Sequence, residues 1–393
     1  MKWYSIGCAI FLGGCGDNGG GGPDADMVMS TTSSTGSTAS TEGSGTSTTG
    51  SAAELPPLHE CGEAELIVEQ ESVHDLATDS DNYYWLGLTE IGEIAVYALS
   101  KSGGDVRVVT SFPTYFDYLL GATDLEVAQD ATLLMDDTSA DDDDEYVYFS
   151  GDTKIWRVKK DGTGQAERVS TDELNELGPA TCNFARIQLT PDALFVCRKG
   201  QIFRMDRGTD ATPEVIYAAP EGGRVEGFAV NGSELYTNGP FDDSRHFAPI
   251  LQVSVPDGLS SEFGEMLEGL VPDAFFVVKD TLLFSSLVVL EGPDLETTSE
   301  WASRQGTYRL PLNEQVPSRF SDSNIILVNG ASADASAVYA VTGRKIVRFS
   351  PEGSTRVFVD CTDDPDLHFD ELVVDEDGVY IRDSDKFYRF AKE

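Results

Sequence analysis

Apolar residues along this chain arrive in short bursts, and the bursts alternate with polar turns at a spacing that helices do not produce. Residues 345–353 read KIVRFSPEG and residues 154–162 read KIWRVKKDG. Both run Lys, Ile, an apolar residue, Arg, an apolar residue, then a turn ending in Gly. The apolar runs are rich in β-branched and aromatic residues, as strands require. No window holds a long 3.6-residue apolar period, so few helices are expected. A wider unit surrounds the motif: a short apolar strand, a polar turn, a second apolar strand, a loop, and a third strand centred on apolar-Arg-apolar. It recurs as EYVYFSGDTKIWRVKKDG at 145–162, ALFVCRKGQIFRMDRG at 193–208, AVYAVTGRKIVRFSPEG at 337–353 and GVYIRDSDKFYRFAKE at 378–393. More diverged copies occupy 82–104, 234–258 and 281–313. The turns ahead of the second strands read DSDN (79–82), TPDA (190–193), NGSE (231–234) and DEDG (375–378), all built from hairpin-turn residues.

The second strands of these seven copies centre near Tyr84, Tyr148, Phe195, Tyr236, Leu283, Tyr339 and Tyr380, between 41 and 64 residues apart. Several short strands per period of roughly 40–50 residues describe the blades of a β-propeller. One blade cannot bury both of its faces alone, so blades pack in a ring. The last copy ends at Glu393 directly after its third strand, while Ala64 to Gln70 (AELIVEQ) forms a strand with no blade of its own. The expected fold is therefore an all-β seven-bladed β-propeller whose last blade is closed by the N-terminal strand of the domain. Pairing the two termini removes an exposed sheet edge. Cys61 precedes that strand and Cys361 begins the last blade, so a Cys61–Cys361 disulfide would lock the closure. Cys182 and Cys197 flank an expected hairpin at 184–197 and are placed to cross-link neighbouring strands. By repeat form, residues 62–393 resemble seven-bladed propellers of the YWTD-like and NHL-like kind. Tyr83-Tyr84-Trp85-Leu86 stands where YWTD would, without the Thr-Asp. The resemblance implies architecture and little about activity, because propellers host hydrolases, lyases, receptors and scaffolds alike.

The first sixty residues have a different character. MKWYSIGCAIFLGGC holds one charge, Lys2, before an apolar run from Trp3 to Leu12. That run is shorter than the roughly 20 residues a membrane span needs and fits the hydrophobic region of an export signal. Leu12-Gly13-Gly14-Cys15 resembles the lipobox of bacterial lipoproteins, which implies a signal peptide over 1–14 and lipidation at Cys15. The alternatives are ordinary cleaved secretion and a cytosolic N-terminus. Residues 15–57 follow as a Gly/Ser/Thr-rich stretch with almost nothing apolar to bury, expected to be a disordered linker. About 42 such residues have an r.m.s. reach of roughly 35 Å, enough to lift a propeller over 58–393 clear of a membrane. Beyond Cys8 and Cys15, four cysteines remain, an even count that suggests two disulfides in an exported domain. None forms a CxxC pair of the kind zinc ribbons use.

Charge narrows the partners. The formal net charge of −41 disfavours nucleic acid, whose phosphates call for Lys and Arg. It disfavours docking on anionic lipid through a basic patch as well. The membrane is expected to be met through the lipid anchor only. The run Asp136 to Glu145 (DDTSADDDDE) falls in the first hairpin turn of the second blade. Its oxygens suit Ca²⁺, but the run is contiguous and lacks the turn glycine of calcium loops. A solvated acidic loop is the expectation, with weak Ca²⁺ binding as the alternative; no other cofactor and no metal site are expected. The chain has no GxSxG, HExxH, P-loop or dinucleotide fingerprint, and its histidines (His59, His74, His246, His368) are scattered. No catalytic residue stands out. The repeated Arg157, Arg204, Arg309, Arg348 and Arg389 sit on third strands, away from the channel. They are expected to pack their stems between blades and to bond carbonyls or carboxylates.

Loop length carries the functional signal. Strand alternation puts every connection between second and third strands on one face. Most are two to six residues, but the fourth blade carries Asn238 to Pro249 and the fifth Leu287 to Gln305. These bring Phe241, Asp242, Asp243, Arg245, His246, Phe247, Trp301 and Arg304 onto adjacent stretches of one rim. The blade links Tyr115–Tyr118 and Asp366–His368 fall on the same face. Aromatics beside Arg are the residues of binding hot spots, and rigid scaffolds display function on loops. Neutral insertion is the opposing reading, since long surface loops cost little. The functional expectation is an exported, lipid-anchored, non-catalytic binding module of the cell envelope, with a protein or a glycan as partner. The alternatives are a propeller lyase or hydrolase using His246 or His368 with carboxylates at the channel mouth, and a structural envelope component.

Overall fold

The computed structural model describes residues 59–70, 73–112, 133–135, 145–151, 154–171, 187–198, 200–220, 223–240, 248–265, 271–287, 305–320, 327, 331–364, 367–369 and 371–392. They form a seven-bladed β-propeller. Six blades are antiparallel four-stranded sheets running outward in chain order: blade 1 from Val73–Thr78 to Arg107–Phe112, blade 2 from Leu133–Met135 to Glu167–Arg168, blade 3 from Ile187–Leu189 to Glu214–Ala218, blade 4 from Phe228–Asn231 to Ser260–Glu262, blade 5 from Val271–Val278 to Ser318–Arg319, and blade 6 from Ala331–Ala333 to Thr355–Asp360. Blade 7 takes three strands from the end of the chain, Glu371–Val374, Gly378–Asp383 and Lys386–Ala391. Its outer strand, Glu65–Glu69, comes from the beginning.

Strand periodicity explains why blades read as continuous apolar runs. In Asn82–Leu88, Tyr84 and Leu86 point toward blade 2 while Tyr83 and Trp85 point toward blade 7. Successive side chains face opposite sides of a sheet, and both sides are buried. Seven hydrophobic clusters result, one at each junction. The cluster between blades 7 and 1 joins Val68, Tyr380 and Phe387 to Val73, Trp85 and Tyr97, which closes the ring.

Closure matches the expectation and adds one element the sequence did not signal. Glu65 opposes Arg389 and Glu69 opposes Lys386, so the termini zip together as expected. Cys61 and Cys361 are bonded across a sequence separation of 300, with Cα atoms 5.1 Å apart. Before that bond, His59–Glu60 pairs in parallel with Val359–Asp360, adding a fifth strand to blade 6. The N-terminal segment therefore edges two blades in succession. Cys197 is disulfide-bonded too; Cys182, the partner expected for it, lies outside the described residues, as do Cys15, the signal segment and the linker.

The repeated motif has a mechanical meaning. All five arginines sit directly across from the residue centring the second strand: Arg157 from Tyr148, Arg204 from Phe195, Arg309 from Leu283, Arg348 from Tyr339 and Arg389 from Tyr380. Two of them reach into the following blade. Arg157 donates to the Arg207 carbonyl at 2.8 Å and Arg309 to the Pro351 carbonyl at 2.9 Å. Arg157 also holds Glu167 at 2.8 Å, and Arg389 meets Glu65 at 3.4 Å. The closing glycines Gly162 and Gly353 have φ of +76° and +98°, where a side chain is strained. A Cβ on Gly353 would come within 2.9 Å of Arg309 Nε, so the turn must be Gly to receive the preceding blade's arginine.

A second repeated contact occurs around the closure, on the face carrying the hairpins between first and second strands. Asp375 Oδ1 accepts the Asp377 and Gly378 N–H groups at 2.8 and 2.9 Å and the Tyr380 hydroxyl at 3.1 Å. Its Oδ2 accepts Thr78 Oγ1 and pairs with Lys101 of blade 1 at 2.7 Å. Asp334 repeats this with Ser336 N, Ala337 N and Lys392 of blade 7. Asp79 does so with Asp81 N, Asn82 N, Tyr84 Oη and, at 3.2 Å, Lys160 of blade 2. Each carboxylate caps its own turn while gripping a lysine one residue past the third strand of the next blade. The clasps occupy three consecutive junctions, 6/7, 7/1 and 1/2.

Candidate functional site

The connections between second and third strands differ sharply in length. They span two residues in blades 2, 3, 6 and 7 and five in blade 1, but residues 239–249 in blade 4 and 288–305 in blade 5. The long connections thus leave one face at adjacent blades, as the sequence suggests. Phe241, Asp242, Asp243, Arg245, His246, Phe247, Trp301 and Arg304 lie outside the described residues. His368 is described: it is exposed on the link between blades 6 and 7, beside the buried Leu367. Of the acidic run only Glu145 is described, paired with Lys159 at 3.0 Å. Among the described residues no group of three His, Cys, Asp or Glu side chains is arranged to hold a metal ion.

At the strand ends that the two long connections join lies a feature that loop length does not reveal. Of the twelve buried polar residues among those described, six gather at the same ends of blades 4 and 5: Thr237, Asn238, Asp273, Ser285, Ser286 and Thr307. The placement follows from strand direction. Thr237 and Asn238 end the second strand of blade 4, Ser285 and Ser286 approach the end of the second strand of blade 5, and Thr307 follows Gly306 at the start of the third. Asp273 lies near the start of the innermost strand of blade 5. There the register shifts between Pro272 and Phe275, so Asp273 and Ala274 form a bulge. Bulges re-aim side chains and recur beside active sites.

The polar floor is nearly self-satisfied. Thr237 Oγ1 donates to the Gly227 carbonyl at 2.8 Å, and Asn238 Nδ2 to the Arg224 carbonyl at 2.9 Å. Asn238 Oδ1 accepts the Glu226 N–H at 2.7 Å, and Ser286 donates to the Val271 carbonyl at 3.3 Å. Asp273 Oδ1 accepts the Ser285 hydroxyl and, at 2.7 Å, the Ala274 N–H. Asp273 Oδ2 is buried with no hydrogen-bond partner. Leaving such an atom unpaired costs about 1–3 kcal/mol, so its presence asks for a reason.

Burial pushes the Asp273 carboxyl up from 3.8 to about 6; the Ser285 hydroxyl and Ala274 N–H offset part of that rise, and the charge of Glu226 adds to it. The folded chain therefore holds more protons here than the unfolded chain between about pH 4 and 6. The stability this gives is full below about pH 4 and is lost as pH rises through 6. Ionising the buried group costs on the order of 3 kcal/mol by the size of the shift. Asp273→Asn removes that cost, so its melting temperature should gain on the parent's from pH 5 to pH 8. Parallel pH–melting curves would refute this assignment.

The opposite face holds a cavity of about 370 Å³ at the junction of blades 1 and 2, lined by Asp79, Asp81, Asn82, Arg107, Lys160 and Asp161. Its cations are engaged: Lys160 pairs with Asp79 at 3.2 Å, and Arg107 donates to the Lys160 carbonyl at 2.6 Å. This cavity belongs to the clasp rather than to the rim.

No family model matches the chain, and no curated protein does. Solved structures do. Virginiamycin B lyase from Staphylococcus aureus superposes with a TM-score of 0.55 at 11% identity, over 84% of this chain and all of that one. PorZ, a bacterial surface component of the type-IX secretion system of Porphyromonas gingivalis, gives 0.53 at 10% identity, and the extracellular domain of BT4673 from B. thetaiotaomicron 0.53 at 12%. The matches span 39% and 42% of those two longer chains. The WD40 β-propeller domain of Doa1 gives 0.50 at 13% identity over 95% of its length. At such identities the likeness is one of fold, and the fold is the seven-bladed β-propeller.

Proposed function

We propose that this chain is an exported, lipid-anchored propeller that binds an envelope partner, protein or glycan, at the rim of blades 4 and 5 without catalysing a reaction. The observation that carries the reading is the coincidence of two long neighbouring connections, among five of two to five residues, with a buried polar floor at the strand ends they join. Export is supported by the disulfides, since such bonds persist in oxidising compartments. The lipobox-like Leu12–Cys15 supports it as well. PorZ and the BT4673 domain are themselves a surface component and an extracellular domain. No helix among the described residues is long and apolar enough to cross a membrane.

The test uses the full chain as bait against solubilised envelope. A variant carries residues 239–249 and 288–305 each replaced by a two-residue Asn-Gly turn, the length found in four other blades. Because those blades fold on such turns, the variant should keep the parent's melting temperature. Capture of the partner should fall at least tenfold, and equal capture would remove the rim from the account.

Asp273 also favours a second reading, a propeller lyase or hydrolase. A carboxyl near pH 6 beside a second acid suits a general acid. Under that reading, turnover of an envelope polymer disappears in Asp273→Asn while binding persists.

A further inference from the structure

Five glycines among the described residues follow an Asn or an Asp: Gly162, Gly232, Gly239, Gly258 and Gly378. In such a pair the glycine nitrogen can attack the side-chain carbonyl of the residue before it, because no Cβ stands in the way. The attack needs that nitrogen free, and four of the five are engaged. Gly162 N donates to the Lys159 carbonyl at 2.9 Å, Gly239 N to the Pro249 carbonyl at 2.6 Å and Gly258 N to the Ser254 carbonyl at 2.8 Å. Gly378 N donates to Asp375 Oδ1 at 2.9 Å. Gly232 N makes no hydrogen bond among the described residues.

Hairpin geometry explains the exception. Asn231 and Glu234 form the last rung between the first two strands of blade 4, and Gly232 and Ser233 make the two-residue turn. Gly232 has φ of +59°, as the first central residue of such a turn requires. The ladder bonds belong to the flanking pair, which leaves the first N–H of the turn to water. Asn231, Gly232 and Ser233 are all exposed, and a Cβ on Gly232 would meet no atom within 4 Å. Asn238, the other described Asn before a Gly, is 3% exposed and bonded through both side-chain atoms.

We propose that Asn231 is a site of spontaneous deamidation. Gly232 N forms a bond to Asn231 Cγ and gives up its proton, the Cγ–Nδ2 bond breaks, and ammonia leaves. Water then opens the succinimide at either carbonyl, giving aspartate or isoaspartate. An amide is also a better electrophile than the carboxylates of Asp161, Asp257 and Asp377. Each product places a negative charge where a neutral amide stood. Isoaspartate also inserts a methylene into the main chain at the last rung of the hairpin. The site lies on the face of the clasps and is independent of the rim reading. Asn18–Gly19 and Asn329–Gly330 lie outside the described residues.

The experiment incubates the full chain at pH 8 and 37 °C for four weeks, folded in one arm and in 6 M guanidinium chloride in the other. Cleavage after Glu226 and Glu234 puts Asn231 and Asn238 on separate peptides. Mass spectrometry with electron-transfer fragmentation then resolves Asn, Asp and isoaspartate. In the folded arm Asn231 should convert at least tenfold faster than Asn238, while in denaturant the two should agree within about threefold. Both products should appear at 231, and Asn231→Gln, whose longer side chain disfavours ring closure, should leave that peptide unchanged. Equal conversion of Asn231 and Asn238 in the folded arm overturns the assignment. So does an intact Asn231 in the folded arm when both react in denaturant, because the turn then holds the reactants apart. Aspartate without isoaspartate overturns the succinimide route.

Discussion

Replacing Cys61 and Cys361 together by Ser should lower the unfolding free energy by roughly 4–6 kcal/mol, because the bond closes a loop of about 300 residues and loop-closure entropy grows with length. Few single links in a domain restrain so much unfolded chain. The bond also sits where the ring is joined non-covalently, between the added parallel pair His59–Glu60 and the closing strand Glu65–Glu69. Its loss therefore frees both segments at once. Substitution is a cleaner probe than reductant, since Cys197 is disulfide-bonded and would be opened too. Urea titration followed by tryptophan fluorescence reads the effect directly, because Trp85 is fully buried in the cluster between blades 7 and 1. A midpoint shift equivalent to less than about 1 kcal/mol would show that the seven clusters close the ring without the bond.

Asp375→Ala should cost about 3–5 kcal/mol, the range for removing one partner of a buried ion pair. Lys101 and Asp375 have side chains only 13% and 14% exposed, and the Lys101 ammonium lies 5.7 and 5.9 Å from the ring centres of Tyr83 and Tyr380. Removing the carboxylate leaves that ammonium without its nearest counter-charge and uncaps the turn before Tyr380. The ammonium then keeps only the more exposed Asp377, at 3.3 Å; because that under-paired charge is the main cost, the double variant Lys101→Met/Asp375→Ala should be no less stable than Asp375→Ala alone. A double variant that is less stable by the full sum of its parts would disprove this account. The same clasp predicts a pH signature. Burial by itself would raise the Asp375 carboxyl, but the bonds from Lys101 and Thr78 hold it below the ordinary 3.8. Its contribution is present above that value and lost as pH falls through the lower folded-state value. Asp273 acts in the opposite sense across pH 4–6, so the two carboxylates bracket the acid limb of the stability profile.

The blades were legible because each must separate two apolar runs with a polar turn, and the chain spells this out at Asp79, Thr190, Asn231 and Asp375. The register of the repeated arginines against the second-strand centres follows from the same pattern. Closure was legible because an orphan strand and a blade lacking one cannot both stay unpaired. His59–Glu60 was not, because a two-residue strand held by backbone bonds leaves no hydrophobic trace. The polar floor escaped for another reason. Thr237, Ser285 and Ser286 look like ordinary solvent-facing positions of strands, and their burial comes from neighbouring blades, which a linear pattern does not reveal. One signal was available: Asp273 interrupts Val271–Val278 (VPDAFFVV), an otherwise apolar inner strand.

The order of attachments at the N-terminal edge decides how the domain bears load. A pull arriving along the chain toward His59 meets the parallel pairing with Val359–Asp360 first and the covalent Cys61–Cys361 link immediately after. Only beyond that link does the chain enter Glu65–Glu69, the strand whose departure would open blade 7. Tension is therefore diverted into blade 6 before it can peel the closing strand, and the propeller can hang from its leading end without unravelling from it.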